Sequence, residues 1–309
     1  MTDDERQRLQ RLTGNLRRRA FIYQTIRSFF NEQGFLEVET PIRSPAIAPE
    51  KEIIPVQSEN WFLSTSPELY MKRLLAAGYD KIYQFSRCFR KDERGNFHNP
   101  EFTLLEWYRQ GADYRQMMLD IEQLVTAVAS GLKMGKTLHY RNNTIDISLP
   151  WPRLTVSEAF HNFAGWDPVA DPDVRRFDED TVLKVIPRFS LKRPTFLVDY
   201  PAPMASLARL KPGNPQVAER TELFIGGLEL ANAYSELTDR NEQEMRFRLE
   251  IEEIKKTHHR IAPMPDKFIA AITHLPECAG IALGVDRLIM LFCDAASISE
   301  VIPFTVDEA

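Results

Sequence analysis

Cysteine is scarce in this sequence, and long apolar runs are missing from it. Its 309 residues include only three cysteines, Cys88, Cys278 and Cys293, none of them in a CxxC pair. This spacing gives neither a disulfide framework nor a structural zinc site. Nowhere do eighteen apolar residues follow one another, and the charged N-terminal stretch lacks the apolar region of a signal peptide. We therefore expect a cytoplasmic protein without a membrane segment.

An excess of positive charge is also missing. Lysine and arginine number 39 against 44 acidic residues, which gives a formal net charge of −5. A protein that wraps nucleic acid presents a broad basic face, so extended binding of tRNA is not expected. Hydrophobic residues make up 43% of the chain, enough to bury the core of one large domain or two modest ones.

Hydrophobic periodicity predicts a mixture of helices and strands. A helix is expected over residues 15–34, and the Ser-Pro-Glu sequence at residues 66–68 is typical of the start of another, ending at Gly78. Residues 81–90 and 101–109 have the pattern of two strands joined by a polar loop. The chain is therefore expected to form a long hairpin after its second helix.

A third helix is predicted to begin after Asp113, whose side chain suits an N-cap. Its apolar residues recur at helical spacing, and they are Tyr114, Met117, Ile121, Leu124, Val125 and Val128. We interpret this stripe as core rather than as a cofactor site. Residues 165–180, rich in aspartate, are interpreted as a surface excursion.

The second strand of the hairpin carries polar groups on one face. Alternation places Phe102, Leu104, Glu106 and Tyr108 on the same side of the strand. An aromatic ring, a carboxylate and a phenol together suit a cationic ligand. An exposed strand edge with an isolated acid is the alternative interpretation.

Two more carboxylates lie around a predicted hairpin turn at Gly226-Gly227. Simple pairing sets Glu222 opposite Ala231, which leaves Glu222 and Glu229 as neighbours on one face. Such a pair favours Mg²⁺ carried by a nucleotide, and a solvated acidic pair is the alternative. Asn232 then points to the opposite face from Glu229, unless a β-bulge interrupts the strand.

A small-residue strand over residues 279–284 runs into an apolar helix. Glycines there permit close approach of a ligand to the backbone. Arg287, in the first helical turn, adds a planar cation where free N–H groups already favour anions. Helix packing explains the same small residues, so both interpretations stay open.

Taken in order, these stretches resemble the three signature motifs of class II aminoacyl-tRNA synthetases. The matching segments are residues 34–41 for motif 1, residues 89–102 for motif 2 and residues 284–287 for motif 3. The segments 65–68, 98–103 and 229–237 resemble the lysine branch. The resemblance implies an α+β fold, an antiparallel sheet flanked by helices, and a homodimer formed through motif 1. It divides the chain into an N-terminal extension, 1–15, and a catalytic domain, 16–309, without an anticodon-binding OB-fold.

Within that family, the chain resembles lysyl-tRNA synthetase paralogues that attach (R)-β-lysine to a lysine of elongation factor P. Residues 300–307 and Ala282 carry this similarity. Ala233 and Ser235 differ from the paralogues, which leaves the choice between lysine and β-lysine open. A truncated enzyme that acts on tRNA or a small molecule, and a non-catalytic binding protein, are the alternatives.

The resemblance also implies roles for individual residues. Arg90 and Arg287 are expected to be catalytic, by neutralising the phosphates of ATP. The further ATP-binding residues are Asp92, Glu93, His98, Asn99, Phe102 and Gly284, with Glu222 and Glu229 carrying Mg²⁺. The residues implied to bind the amino acid are Ser66, Glu68, Glu106, Tyr108, Asn232, Glu236 and Ala282. Asp92 stands where the family has glutamate, so its contact to adenine is expected to be weaker or taken over by Glu93. No side chain is identified as the base that deprotonates the attacking amine.

Overall fold

A computed structural model describes residues 2–309 and arranges them as eight helices and fourteen strands with short turns. The helices are α1 (Asp3–Glu32), α2 (Glu68–Ala76), α3 (Tyr114–Gly131), α4 (Val156–Phe163), α5 (Val174–Asp180), α6 (Arg240–His258), α7 (Asp266–Ile272) and α8 (Val285–Cys293). The strands are β1 (Leu36–Glu37), β2 (Arg43–Ser44), β3 (Gln57–Ser58), β4 (Trp61–Leu63), β5 (Lys81–Phe89), β6 (Glu101–Gln110), β7 (Thr137–Tyr140), β8 (Asn143–Asp146), β9 (Arg153–Thr155), β10 (Thr195–Pro201), β11 (Leu210–Lys211), β12 (Asn214–Ile225), β13 (Leu228–Ser235) and β14 (Cys278–Gly284). None of the helices within this range is long and apolar enough to cross a bilayer.

A nine-stranded sheet dominates the fold, with the order β1-β5-β6-β14-β13-β12-β10-β9 and β11 beside β12. Its six inner strands, β5 to β10 in that order, are antiparallel. The outer pairs β1 with β5 and β9 with β10 are parallel, so the sheet as a whole is mixed. The expected α+β architecture is confirmed, and the antiparallel part is the part that carries the site.

One face of the sheet packs on helices α1, α3 and α8 to form the main core. Strand alternation sends Leu105 and Trp107 of β6 into this core, together with Ile281 and Leu283 of β14. The residues between them therefore face the other side of the sheet, where the candidate site lies. The apolar stripe predicted for α3 is buried in the same core, and Asp113 caps that helix as expected.

The first helix begins much earlier than the sequence pattern predicted. α1 starts at Asp3, capped by Thr2, and not near Asn15. Its early turns are held by the end of the chain, because Arg8 donates to the carbonyl of Pro303 at 3.0 Å and Asn15 donates to that of Glu300, also at 3.0 Å. The helix thus runs without a break through residue 15, where the division of the chain was predicted.

The stretch 165–180 is less of a surface excursion than predicted. Phe177 of α5 is buried and stacks on Phe160 of α4, with 4.8 Å between ring centroids. Trp166 donates to the carboxylate of Asp180 at 2.9 Å. The many aspartates of this stretch made it look polar throughout, but Trp166 and Phe177 attach it to a second, smaller core.

Candidate active site

A cavity of about 360 Å³ lies on the face of the sheet opposite the main core. Fifteen of the predicted site residues line it, namely Ser66, Glu68, Arg90, Glu93, His98, Asn99, Phe102, Glu106, Tyr108, Glu229, Asn232, Glu236, Ala282, Gly284 and Arg287. Asp92 and Glu222 are not in its lining. Carboxylates gather around Glu106, and arginines gather where the motif 2 loop meets α8.

Glu106 is the best-held carboxylate of the acidic group. Ser66 donates to its Oε1 at 2.6 Å, and the Tyr108 hydroxyl donates to its Oε2 at 2.8 Å. Burial, followed by the like charge of Glu68, raises the pKa of Glu106 to about 7. Glu106 is therefore poised to ionise when an ammonium group approaches.

A lysine that sequence reasoning missed lies among these acids. The Nζ of Lys72 is 2.5 Å from a carboxylate oxygen of Glu68 and 2.5 Å from one of Glu236, and its side chain is completely buried. Burial opposes its charge, but the two carboxylates outweigh that effect and raise the pKa of Lys72. The spacing of Glu68 and Lys72, four residues apart on α2, is the signal that could have revealed one half of this cluster.

Gly280 leaves the space that these groups occupy. A Cβ placed on it would lie 2.2 Å from Cε1 of Tyr108 and 2.6 Å from Oε1 of Glu236. Real side chains do not approach so closely, so only glycine fits between the phenol and the carboxylate. Gly280 therefore does more than permit helix packing.

Arg90 lies at the other end of the cavity, at the end of β5. Its guanidinium lies over the Phe102 ring, 5.1 Å from the centroid, and donates to Glu93 at 3.1 Å. Asp92 is exposed, whereas Glu93 lines the cavity. Between the alternatives left open for the adenine contact, this placement favours Glu93.

Arg287 projects from the first turn of α8 into the same end. It donates to the carbonyl of Glu229 at 2.8 Å and lies 2.6 Å from Nε2 of His98. Burial and the charge of Arg287 lower the pKa of His98, so the imidazole stays neutral with Nε2 as acceptor. Asn99, in contrast, uses both ends of its amide within the protein, on Glu101 and Val306.

Asp286, another residue missed from the sequence, positions Arg287 and the motif 2 strand. Its carboxylate accepts from Arg19 of α1 at 2.6 Å and from the backbone N–H of Thr103 at 2.8 Å. It is buried against both partners. The long first helix is thereby tied to the strand and helix that carry the site.

A β-bulge in β13 changes the register predicted around the Gly226-Gly227 turn. Phe224 pairs with Glu229 as expected, but Glu222 pairs with Asn232 and not with Ala231. The extra residue is Leu230, and it lets Glu229 and Asn232 line the cavity together. The condition for using both residues in one site is met.

The chemistry of this hairpin suits a cation shared with phosphates. Burial and the neighbouring charge of Glu222 raise the pKa of Glu229, so the two carboxylates are close enough to repel each other. Oδ1 of Asn232 accepts no hydrogen bond from residues 2–309. The described residues contain no cluster of three or more His, Cys, Asp or Glu side chains around one point. Mg²⁺ is commonly bound by one or two carboxylates, with phosphates of the ligand and water completing its coordination, and two carboxylates fit that pattern.

Ala233 and Ser235, the two positions expected to differ from the modifying paralogues, face away from the cavity. Ala233 is in the main core, and the Ser235 hydroxyl accepts from the N–H of Tyr114 at 2.9 Å. Tyr234, between them, lines the cavity. Neither departure therefore alters the surface that a ligand would meet.

Comparison with known proteins identifies the family of this chain. A family model described as tRNA synthetases class II (D, K and N) matches residues 6–308. The elongation factor P--(R)-beta-lysine ligases of Proteus mirabilis, Edwardsiella ictaluri and Klebsiella pneumoniae are each 38% identical, over 96% of this chain and 96% of theirs. The chain belongs to the class II tRNA synthetase family of the D, K and N enzymes.

Proposed function

We propose that this protein activates (R)-β-lysine or lysine with ATP and transfers the aminoacyl group to a lysine of elongation factor P. The observation that supports this proposal is one cavity with carboxylates at one end and Arg90 and Arg287 at the other. A diamino acid has the matching pattern, with cationic amines and an anionic carboxylate that reacts with ATP. The names of the relatives supply the acceptor.

In the first step the substrate carboxylate attacks the α-phosphorus, and pyrophosphate leaves. Arg90 neutralises charge at the reacting oxygens, Arg287 binds the γ-phosphate, and Phe102 stacks on adenine. Glu222 and Glu229 would hold Mg²⁺, which withdraws charge from the phosphates. Positioning and charge stabilisation account for the rate, because the step needs no protein nucleophile.

In the same proposal the acidic end holds the amines. Lys72 already compensates Glu68 and Glu236, so Glu106 and Tyr108 are the groups most available to a ligand ammonium. Ala282 pairs with Asn232 on one side and with Glu106 on the other. Its methyl group lies under the substrate, where it affects how far apart the carboxylate and the amine can be held.

We also propose a homodimer through the motif 1 region. Leu36 and Ile42 are large apolar residues exposed there, and β1 ends the main sheet. Self-association would cover both features. Sedimentation equilibrium should give twice the chain mass, and Leu36→Glu should reduce it.

The experiment that tests the function is mass spectrometry of elongation factor P after incubation with the protein, ATP, Mg²⁺ and either amino acid. One added β-lysine or lysine residue on one lysine of the factor is expected. Aminoacylation of bulk tRNA instead would favour the truncated-synthetase alternative, and no product with either acceptor would favour the non-catalytic one. A cytoplasmic location follows if the translation factor is the acceptor.

A further inference from the structure

A second cavity, of about 800 Å³, opens beside the candidate active site. It lies between the loop 49–53, helix α5 and helix α6. The two cavities share four lining residues, which are Glu50, Ile53, Ser206 and Arg220. None of the residues assigned to ATP or to the amino acid lines this second cavity. The second cavity is therefore distinct from the candidate site and directly adjacent to it.

The wall of this cavity contains a buried polar group that lacks a partner. Gln243 of α6 is fully buried, and neither atom of its amide is hydrogen-bonded to any residue in the range 2–309. Buried amides are normally paired, so one that lines a cavity points to a polar ligand.

Carboxylates line the passage, and its arginines are mostly occupied. Arg246 donates to the carbonyls of Ser206 and Ala208, and Arg220 donates to the carbonyl of Met204 and to Glu222. Acidic lining residues still outnumber basic ones, with Glu50, Glu52, Asp178, Glu179 and Glu250 against Lys51, Arg175, Arg220 and Arg246. A cationic side chain suits such a passage.

Glu50 lies where the two cavities meet. Its carboxylate makes no hydrogen bond or ion pair with residues 2–309, although it is partly buried. The ionisable groups that face it are Arg90, Glu68, Glu250, Arg220 and Tyr234. Burial raises the pKa of Glu50 to about 7, against the opposing effect of Arg90. A carboxylate with this pKa is matched to proton transfer near neutral pH.

We infer that the second cavity admits the lysine side chain of the protein acceptor and that Glu50 is the base for its reaction. The inference deepens the proposed function and rests on it. The ammonium group gives one proton to Glu50, and the freed nitrogen pair attacks the carbonyl carbon of the adenylate. The bond from that carbon to the phosphate oxygen then breaks, AMP leaves with the electron pair, and the second proton leaves on its phosphate. An amide bond is formed without oxidation or reduction.

The test is single-turnover transfer from preformed adenylate to elongation factor P between pH 6 and pH 9. Glu50→Gln should slow transfer at pH 7.5 by about 100-fold and make its rate climb with pH, as expected when a general base is lost. Glu50→Asp should recover part of the rate. Glu252→Gln, an exposed change on α6 outside both cavities, is the matched control.

Trapping of the adenylate by hydroxylamine, which reacts as a neutral amine, separates the two steps. In Glu50→Gln the rate of trapping by hydroxylamine should fall far less than the rate of transfer to elongation factor P. Equal losses in trapping and transfer, or transfer with the wild-type rate and pH profile, would overturn the role of Glu50. If the wild-type protein yields no trappable adenylate, the proposed function fails and takes this inference with it.

Discussion

Lys72 and Glu236 form an ion pair of 2.5 Å in which both side chains are almost completely buried. The acidic end of the cavity therefore contains a permanent cation, shared with Glu68. Without Lys72, the carboxylates of Glu68, Glu106 and Glu236 would repel one another, and protons rather than a ligand would neutralise them. The resident lysine thus sets how many ligand amines the cavity can hold.

Lys72→Met should lower the free energy of unfolding by about 3 kcal/mol, because it leaves two carboxylates uncompensated in a buried setting. Urea denaturation measures this loss. Lys256→Met is the matched control, since Lys256 pairs with Glu253 at the surface and its removal should leave the denaturation curve unchanged. A Lys72→Met protein as stable as the wild type would show that the pair is not needed.

Gly280→Ala should raise the KM for the amino acid at least about tenfold and destabilise the fold by about 1–3 kcal/mol, because its methyl group collides with Tyr108 and Glu236. Gly14→Ala offers the opposite expectation. Gly14 lies inside α1 with open space around it, so alanine should stabilise the protein by about 0.5–1 kcal/mol. Amino-acid-dependent pyrophosphate exchange measures the KM of both variants, and thermal denaturation measures their stability. Equal KM values and equal stabilities in the two variants would contradict the role assigned to Gly280.

Arg90→Ala should reduce adenylate formation by about 1000-fold, because the charge that stabilises the reacting oxygens is removed. Arg94→Ala changes the same loop at an exposed arginine that pairs with Asp307 at the surface. Its exchange rate should stay within about twofold of the wild type. Near-normal exchange by Arg90→Ala would rule out its catalytic role.

The KM for the amino acid should fall as the pH rises from 6 to 8. The pKa of Glu106 is raised to about 7, so the empty protein keeps a proton there that a free glutamate would lose at lower pH. The stability that this proton contributes is present at acid pH and is lost as pH rises through 7. The ionised carboxylate is the form that accepts an ammonium group, so binding improves in the same window.

Glu106→Gln should raise the KM and flatten its dependence on pH, because the carboxyl whose pKa lies near 7 is removed. A KM that rises with pH in the wild type would contradict this account. Steady-state exchange in overlapping buffers of constant ionic strength is the measurement.

Strand alternation was enough to predict the cavity side of β6, because a pleated strand allows only two faces and Leu105 and Trp107 needed the core. The hairpin turn was predictable for a similar local reason. The bulge at Leu230 was not, because a single inserted residue depends on how β13 fits β12 and β14 together. One residue of register decided whether Asn232 joins Glu229.

Charged groups far apart in sequence were the hardest to place. Lys72 on α2 looks like any surface lysine until Glu236 is brought beside it by the sheet. Glu50 lies in an irregular loop, where neither helical nor strand periodicity predicts which way a side chain points. Its proposed role depends on its position between two adjacent cavities. The resemblance to a known family predicted most of the residues that line the candidate site. The role of Lys72 as a counter-ion and the second cavity became visible only in the folded structure.

Amino-acid-dependent ATP–pyrophosphate exchange, run side by side with (R)-β-lysine, L-lysine and no amino acid, tests the central claim most directly. The account predicts exchange with (R)-β-lysine or L-lysine and none without an amino acid, and attachment of the amino acid to elongation factor P when the factor is added. Exchange with neither amino acid, by protein that is folded and binds ATP, would contradict it.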